Sequence, residues 1–470
     1  MAAYIWTDNT SGNTLWNDQL NWNDGISGYP NGNDDSALFD GTWTSNCTAN
    51  EALTVGLVLV DENYTGTITQ SQNITVDDTT LDGDFTITEG TWSQSTLNLL
   101  VDRNFVNNDT HVMGASAGTG LTAGSIEFRT GSFRDWQTTT KIVCNGDFVE
   151  PASDVSVTNN TGDLILAGNG NLTKGSVTNY LYGFTINAGV TTTATGAVCR
   201  ITDKNSGKVI LNGILNTGSG PAWCTMGCKA IGSFILGAAG DIVGSGDISL
   251  EILYGATVTD NKGSALSHTG SIGINGISND SIIPSWHFSN SLIMNVGSYA
   301  SGDATRYFSP GTLKIKGFVV KSSAGRTNTI KADTNNPSYE FSGNVDLNDG
   351  TGTVVWYRGT NAITLTNTVT KTFAGDGLTI EAINKTGAGI TEFSENCSPL
   401  SVSGSAGTIR SDAAGTQRTL TVTNTGVCTG MTIKDISFGA KDMVNAKSGC
   451  TNNGNNKGII FRDRPINVMM

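Results

Sequence analysis

Apolar and polar residues alternate along this chain in short pulses. Between Ala52 and Val106 the pulses Leu53/Val55, Ile68, Ile74/Val76, Phe85/Ile87 and Leu97/Leu99 are separated by Gly, Asn and Asp. Alternation with period two marks half-buried strands, and the breakers between the pulses are turn formers. No pulse is longer than about six residues, and none has the apolar spacing of a helix. Pulses recur roughly every eight to thirteen residues, which suits a coil of short strands better than strict hairpins. The pattern predicts an all-β chain wound as a right-handed parallel β-solenoid (a β-helix), with rungs of about 20 to 25 residues stacked ~4.8 Å apart. Tandem β-sandwiches are the competing fold.

The same reading divides the chain. Residues 1–50 form an opening module rich in tryptophan (Trp6, Trp16, Trp22, Trp43), with turns at Gly25, Pro30 and Gly32. A solenoid end exposes unpaired edges and core side chains, so bulky aromatics there are expected to act as a cap. Residues 51–220 are the first solenoid section, and Gly183–Gly220 is its clearest text. Residues 221–310 read as an irregular section with loop excursions. Within it Trp286, His287, Arg306, Tyr307 and Phe308 are candidates for a surface-binding loop, because binding groups concentrate on loops held by a rigid scaffold. Strand pulses resume over 311–461, and 462–470 is a tail.

Composition fits this picture. Gly numbers 59 against only 8 Pro, as expected for many tight turns between strands that must all donate to a ladder. The formal net charge is −14 and no basic run appears, so a nucleic-acid partner is not expected. Eight cysteines are scattered through the chain, too sparsely for a disulfide scaffold, and most are read as buried thiols. No basic segment followed by an apolar stretch opens the chain, and no run reaches the ~18 apolar residues of a membrane-spanning helix. The expectation is folding in a cytoplasm with no membrane insertion.

Two stretches carry a resemblance. Trp16, Asn21-Trp22, Pro30, Asp34-Asp35 and Phe39, followed by the NCTAN and YTGTITQ segments, resemble a module that opens β-helical surface proteins. Such modules occur in autotransporter passengers and in structural proteins of tailed bacteriophages. Gly415-Thr416, Thr419-Leu420, Thr432–Asp435 and Asn452–Phe461 resemble a closing module of phage structural proteins. The resemblance implies a non-enzymatic virion protein exposed on the particle surface as a capsid decoration, spike or tail fibre. Its partners would be other virion proteins, sister subunits (a homotrimer is one arrangement) and host-surface glycans. Trp6, Trp16, Trp22, Pro465, Met469 and Met470 are the expected assembly contacts. A polysaccharide-degrading tailspike and a secreted β-helical adhesin are the alternatives.

Signals of chemistry are sparse. Glycosidases need two carboxylates at a set separation, whereas neighbours such as Asp34/Asp35 or Asp77/Asp78 point to opposite faces of a strand. Glu127/Arg129 with Arg134/Asp135 is the other charged cluster. Cys224 and Cys228 lack the second pair or nearby His of a zinc site, and Asp346–Gly350 lacks the register of a calcium loop. No catalytic, cofactor or metal residue is assigned.

Overall fold

The computed structural model describes residues 2–461 apart from 8–12, 23–27, 78–82, 114–118, 130–131, 137–140, 151–155, 159–162, 175–182, 196–197, 203–207, 220–222, 229–231, 275–279, 297–302 and 440–442. Pro465, Met469 and Met470 therefore lie outside the described residues. The chain forms two compact units, Met1–Gly246 and Asp247–Met470. Both are parallel β-solenoids. Sandwich sheets are built from antiparallel strands, and the parallel ladders of this chain exclude them. The one helical element among the described residues is a 3-10 turn at Gln19–Asn21.

In the first unit each rung contributes strands to three faces. On one face Leu53 lies opposite Ile74, and the column continues through Leu99, Leu121, Ile142 and Leu164. On the second, Val58, Phe85, Phe105, Ile126, Phe148 and Leu172 stack. Cys47, Ile68, Trp92 and His111 stack on the third. All of these side chains are buried, and burying each large apolar one is worth about 1.5 to 3 kcal/mol. Partners lie one rung apart along the chain, mostly within the length the pulses predicted. Longer steps separate Val58 from Phe85 and Leu215 from Ile242. The long strand Leu99–Asn107 turns a corner between two faces, with a register shift between Val101 and Asn104.

The second unit repeats the plan. Ile248, Ile272 and Leu292 stack on one face, followed by Phe318, Val345 and Phe373. Leu313, Tyr339, Ile363, Ile383 and Val402 form a second column.

Polar residues at the corners join one rung to the next. Asn73 Oδ1 accepts from Asn98 N, Asp147 Oδ1 from Asn171 N, Asn169 Oδ1 from Thr191 N and Asn396 Oδ1 from Thr419 N. Each acceptor serves a backbone N–H that enters the following rung, a donor the ladder has not yet reached. Glycine appears where the rungs approach too closely for a side chain. A Cβ at Gly343 would lie 1.5 Å from Lys316 O.

Three of the four tryptophans of the opening module are packing, as a cap requires. Trp6 and Trp16 are fully buried and Trp22 is 4% exposed. They gather on Phe39, with ring centroids 5.7, 5.7 and 5.6 Å away. Trp16 Nε1 donates to Pro30 O at 3.0 Å, and Trp22 Nε1 to Trp16 O at 2.7 Å. The expectation that these three touch another subunit is thereby corrected. Their rings are spent on Phe39, and solvent meets Leu20 and Trp43 instead.

His111 is a buried polar member of a stacked column. Gln94 Nε2 donates to Leu97 O and Gly120 O, so its Oε1 faces His111 Nε2 at 3.1 Å as an acceptor. That assigns the proton to Nε2. Burial pushes the imidazole pKa down from 6.5 to about 3.

Two predictions follow from this packing. Trp16→Ala should cost about 3 to 5 kcal/mol and speed hydrogen exchange over Ser36–Phe39, read by mass spectrometry; unchanged exchange there would remove the cap role. A histidine held neutral contributes stability above pH 6.5 that is lost as pH falls toward about 3. Titrating melting from pH 7 to 4 should therefore show wild type losing up to about 1.4 kcal/mol per pH unit more than His111→Gln.

Candidate surface-binding site

In the second unit, strands Thr312–Ile315, Ser338–Phe341 and Ile363–Leu365 stack in register. Their inward residues are apolar, so Lys314, Glu340 and Thr364 share the outward column. His287 joins that column by a parallel bridge to Lys314. Its neighbours Trp286 and Phe288 are 1% and 2% exposed, and this alternation turns His287 outward.

Two hollows flank the His287–Lys314 ridge. One, of about 460 Å³, runs past Lys316, Glu340, Thr366, Thr368 and Lys371. The other, of about 310 Å³, is lined by Asp260, Ser285, Ser309 and Pro310. Lys314 Nζ lies 3.1 Å from Glu340 Oε2, with the two side chains 42% and 39% exposed. Such a pair contributes little stability, so it is free to open toward a ligand. Partial burial and Lys314 hold the His287 pKa below its ordinary value, which leaves a neutral ring with one donor and one acceptor. Lys316 and Lys371 make no ion pair among the described residues. In a chain of net charge −14 this groove is locally cationic, with hydroxyls along its side. It can hold an anionic or hydroxyl-rich chain.

Of the five residues expected in a surface-binding loop, the structure brings only His287 and Tyr307 to solvent. Trp286, Arg306 and Phe308 are buried. Arg306, Tyr307 and Phe308 belong to the strand Ala304–Phe308, whose sides alternate inward and outward. The prolines and charge of this region suggest a loop, yet the period-two alternation underneath them is the stronger determinant.

Tyr307 leads to a strip that the sequence conceals. Its ring lies 4.0 Å from that of Tyr254, and strand register continues the outward column through Lys331 to Tyr357. Lys331 Nζ sits 3.3 Å over the Tyr357 ring. Tyr254 and Tyr357 are each 44% exposed. Register aligns Tyr307, Lys331 and Tyr357, and a ring contact adds Tyr254, so no local motif could have marked them.

The charged clusters considered for catalysis resolve differently. Arg129 Nε pairs with Glu127 Oε1 at 3.0 Å on an exposed surface; the side chains of Arg134 and Asp135 lie outside the described residues. Asn348 N donates to Asp346 Oδ1 at 3.1 Å, a turn contact. Among the described residues, no three His, Cys, Asp or Glu side chains gather as a metal site. Cys47, Cys144, Cys397 and Cys428 are buried free thiols.

No protein-family model, no curated protein and no solved structure matches this chain.

Proposed function

We propose that this chain is a non-enzymatic structural protein of a tailed-bacteriophage particle, carried on the particle surface as a capsid decoration, spike or tail fibre. Its solenoid supplies stiffness, and its outward columns contact sister subunits and host-surface glycans. One observation carries the reading: the residues of the phage-like modules are the ones that hold terminal rungs together. Trp16, Trp22, Pro30 and Phe39 interlock in the cap. In the closing module, Gly415 N donates to Asp435 Oδ2 at 3.1 Å, Asp435 N to Gly454 O at 3.2 Å and Asn455 Nδ2 to Gly415 O at 3.2 Å. Asp435 and Asn455 adopt φ of 55° and 48°, a conformation that Asp and Asn tolerate better than most residues. A module whose residues make such contacts is suited to building.

An antibody to the purified protein, gold-labelled and imaged on gradient-purified phage particles from cells carrying the gene, tests the proposal. Gold on capsid or tail is the expected result. Protein found in the lysate and absent from particles would sink it, and release of oligosaccharides from bacterial capsule would replace it with the tailspike reading.

The surface role has its own check. Lys316→Glu combined with Lys371→Glu should weaken retention on an immobilised acidic polysaccharide at least tenfold at low salt, since both cations front the groove. Retention equal to wild type would move the glycan contact away from this groove.

A further inference from the structure

Arg306 lies on an inward position of the strand Ala304–Phe308, opposite Ser281 on one side and Ile330 on the other. It has no exposed surface. Nη1 donates to Ser281 Oγ at 2.7 Å, while Nε and Nη2 have no hydrogen-bond partner. These two nitrogens form one edge of the guanidinium, the edge whose parallel N–H bonds grip an anion in two-point fashion. Burial lowers the pKa only to about 10, with Asp280 pulling the other way, so the group is a cation at neutral pH. Asp280 itself is exposed and shares no hydrogen bond with Arg306 in the structure.

A buried cation without a counter-charge is strongly unfavourable, by several kcal/mol as an order of magnitude. Single neutral atoms elsewhere in the interior also lack partners, Thr192 Oγ1 and Ser249 Oγ among them, but another fully buried charged residue is met. Glu381, equally buried, accepts from Trp356 Nε1 at 2.8 Å, from Gly359 N at 2.9 Å and from Tyr339 Oη at 3.4 Å. Arg306 differs from Glu381 in leaving two adjacent donors of one charged group unmet and pointing the same way.

We propose that the Nε–Nη2 edge of Arg306 holds a small monovalent inorganic anion, chloride by size and availability, enclosed in the core of the second unit. The anion takes both orphan N–H bonds and neutralises the guanidinium, which makes it a structural element of the rungs around Ser281, Arg306 and Ile330. This site is independent of the virion role. A water is the rival occupant, since Asn328, register partner of Ala304, also has a buried Oδ1 without a donor. A water between the two would satisfy both and leave the charge uncompensated.

The test uses the full chain. Thermal unfolding is followed at fixed ionic strength while gluconate is exchanged for chloride, in wild type and in Arg306→Met. Binding to the folded state alone raises the folding constant up to tenfold for each tenfold rise in chloride above its dissociation constant. The wild type should show that rise, and Arg306→Met should lose it while still folding. Crystals grown in bromide should carry an anomalous peak beside Arg306, which decides the matter even if the variant fails to fold. A wild-type response indifferent to the anion, an equal response in Arg306→Met, or a bromide-free core with water at that edge would each overturn the proposal.

Discussion

The structure depends on one constraint: each rung must give its backbone hydrogen bonds to the next in parallel register. Parallel strands have evenly spaced bonds and no hairpin to set their pairing, so register comes from the side chains. Because side-chain direction has period two, a slip of one residue would turn every inward group to solvent. Leu53, Ile74 and Leu99, or Phe318, Val345 and Phe373, hold register because each sits directly over its predecessor. The stacked pair Phe85 and Phe105, 5.5 Å apart with ring planes 22° from parallel, shows what in-register packing gives an aromatic column.

The same constraint governs polar residues that enter the interior. A buried Asn or Gln must find partners at a corner or on the adjacent rung, since the flat faces have none to spare. Asn367 does this with Nδ2 on Ile390 O and Val369 O, both at 2.8 Å, and Oδ1 receiving Thr391 Oγ1. Lys385 occupies an inward slot between Leu365 and Gly404, with Nζ turned to Gly387 O and Asn367 O. Burial lowers its pKa to about 8, and the side chain lost at Gly404 leaves it room. Glycine opposite a long side chain is therefore a packing solution here as well as a turn device.

How much of this could be read from the sequence follows from the same physics. The pulses Leu53/Val55 and Phe85/Ile87 identify strands because period-two alternation is local, and a string of short strands without helices points to a solenoid. The cap was also legible, since tryptophans crowded between turns have nowhere to go but over an open end. Register was not. It joins Tyr307 to Lys331 and His287 to Lys314 across spans that no motif connects. Arg306 was misplaced for a related reason: a charge in the pulse Ala304–Phe308 suggests solvent, although its neighbours two residues away, Ala304 and Phe308, are buried.

An inward column asks only that a side chain be apolar and about the right size, so Ile, Leu, Val and Phe exchange freely within it. What distinguishes one solenoid from another must then lie where that tolerance ends. In this chain those places include the aromatic cap on Phe39, the Asp435 turn of the closing rungs, the outward columns at Lys314 and Tyr307, and the charged intrusions at Arg306, Glu381 and Lys385. The outward columns can change without disturbing the fold and are free to follow a partner. The intrusions cannot, because an inward charge loses its hydration and must be met by a specific group. A buried Arg that keeps an unmet edge is thus a stronger sign of a resident ligand than any cluster of surface lysines, where water always satisfies what the protein leaves open.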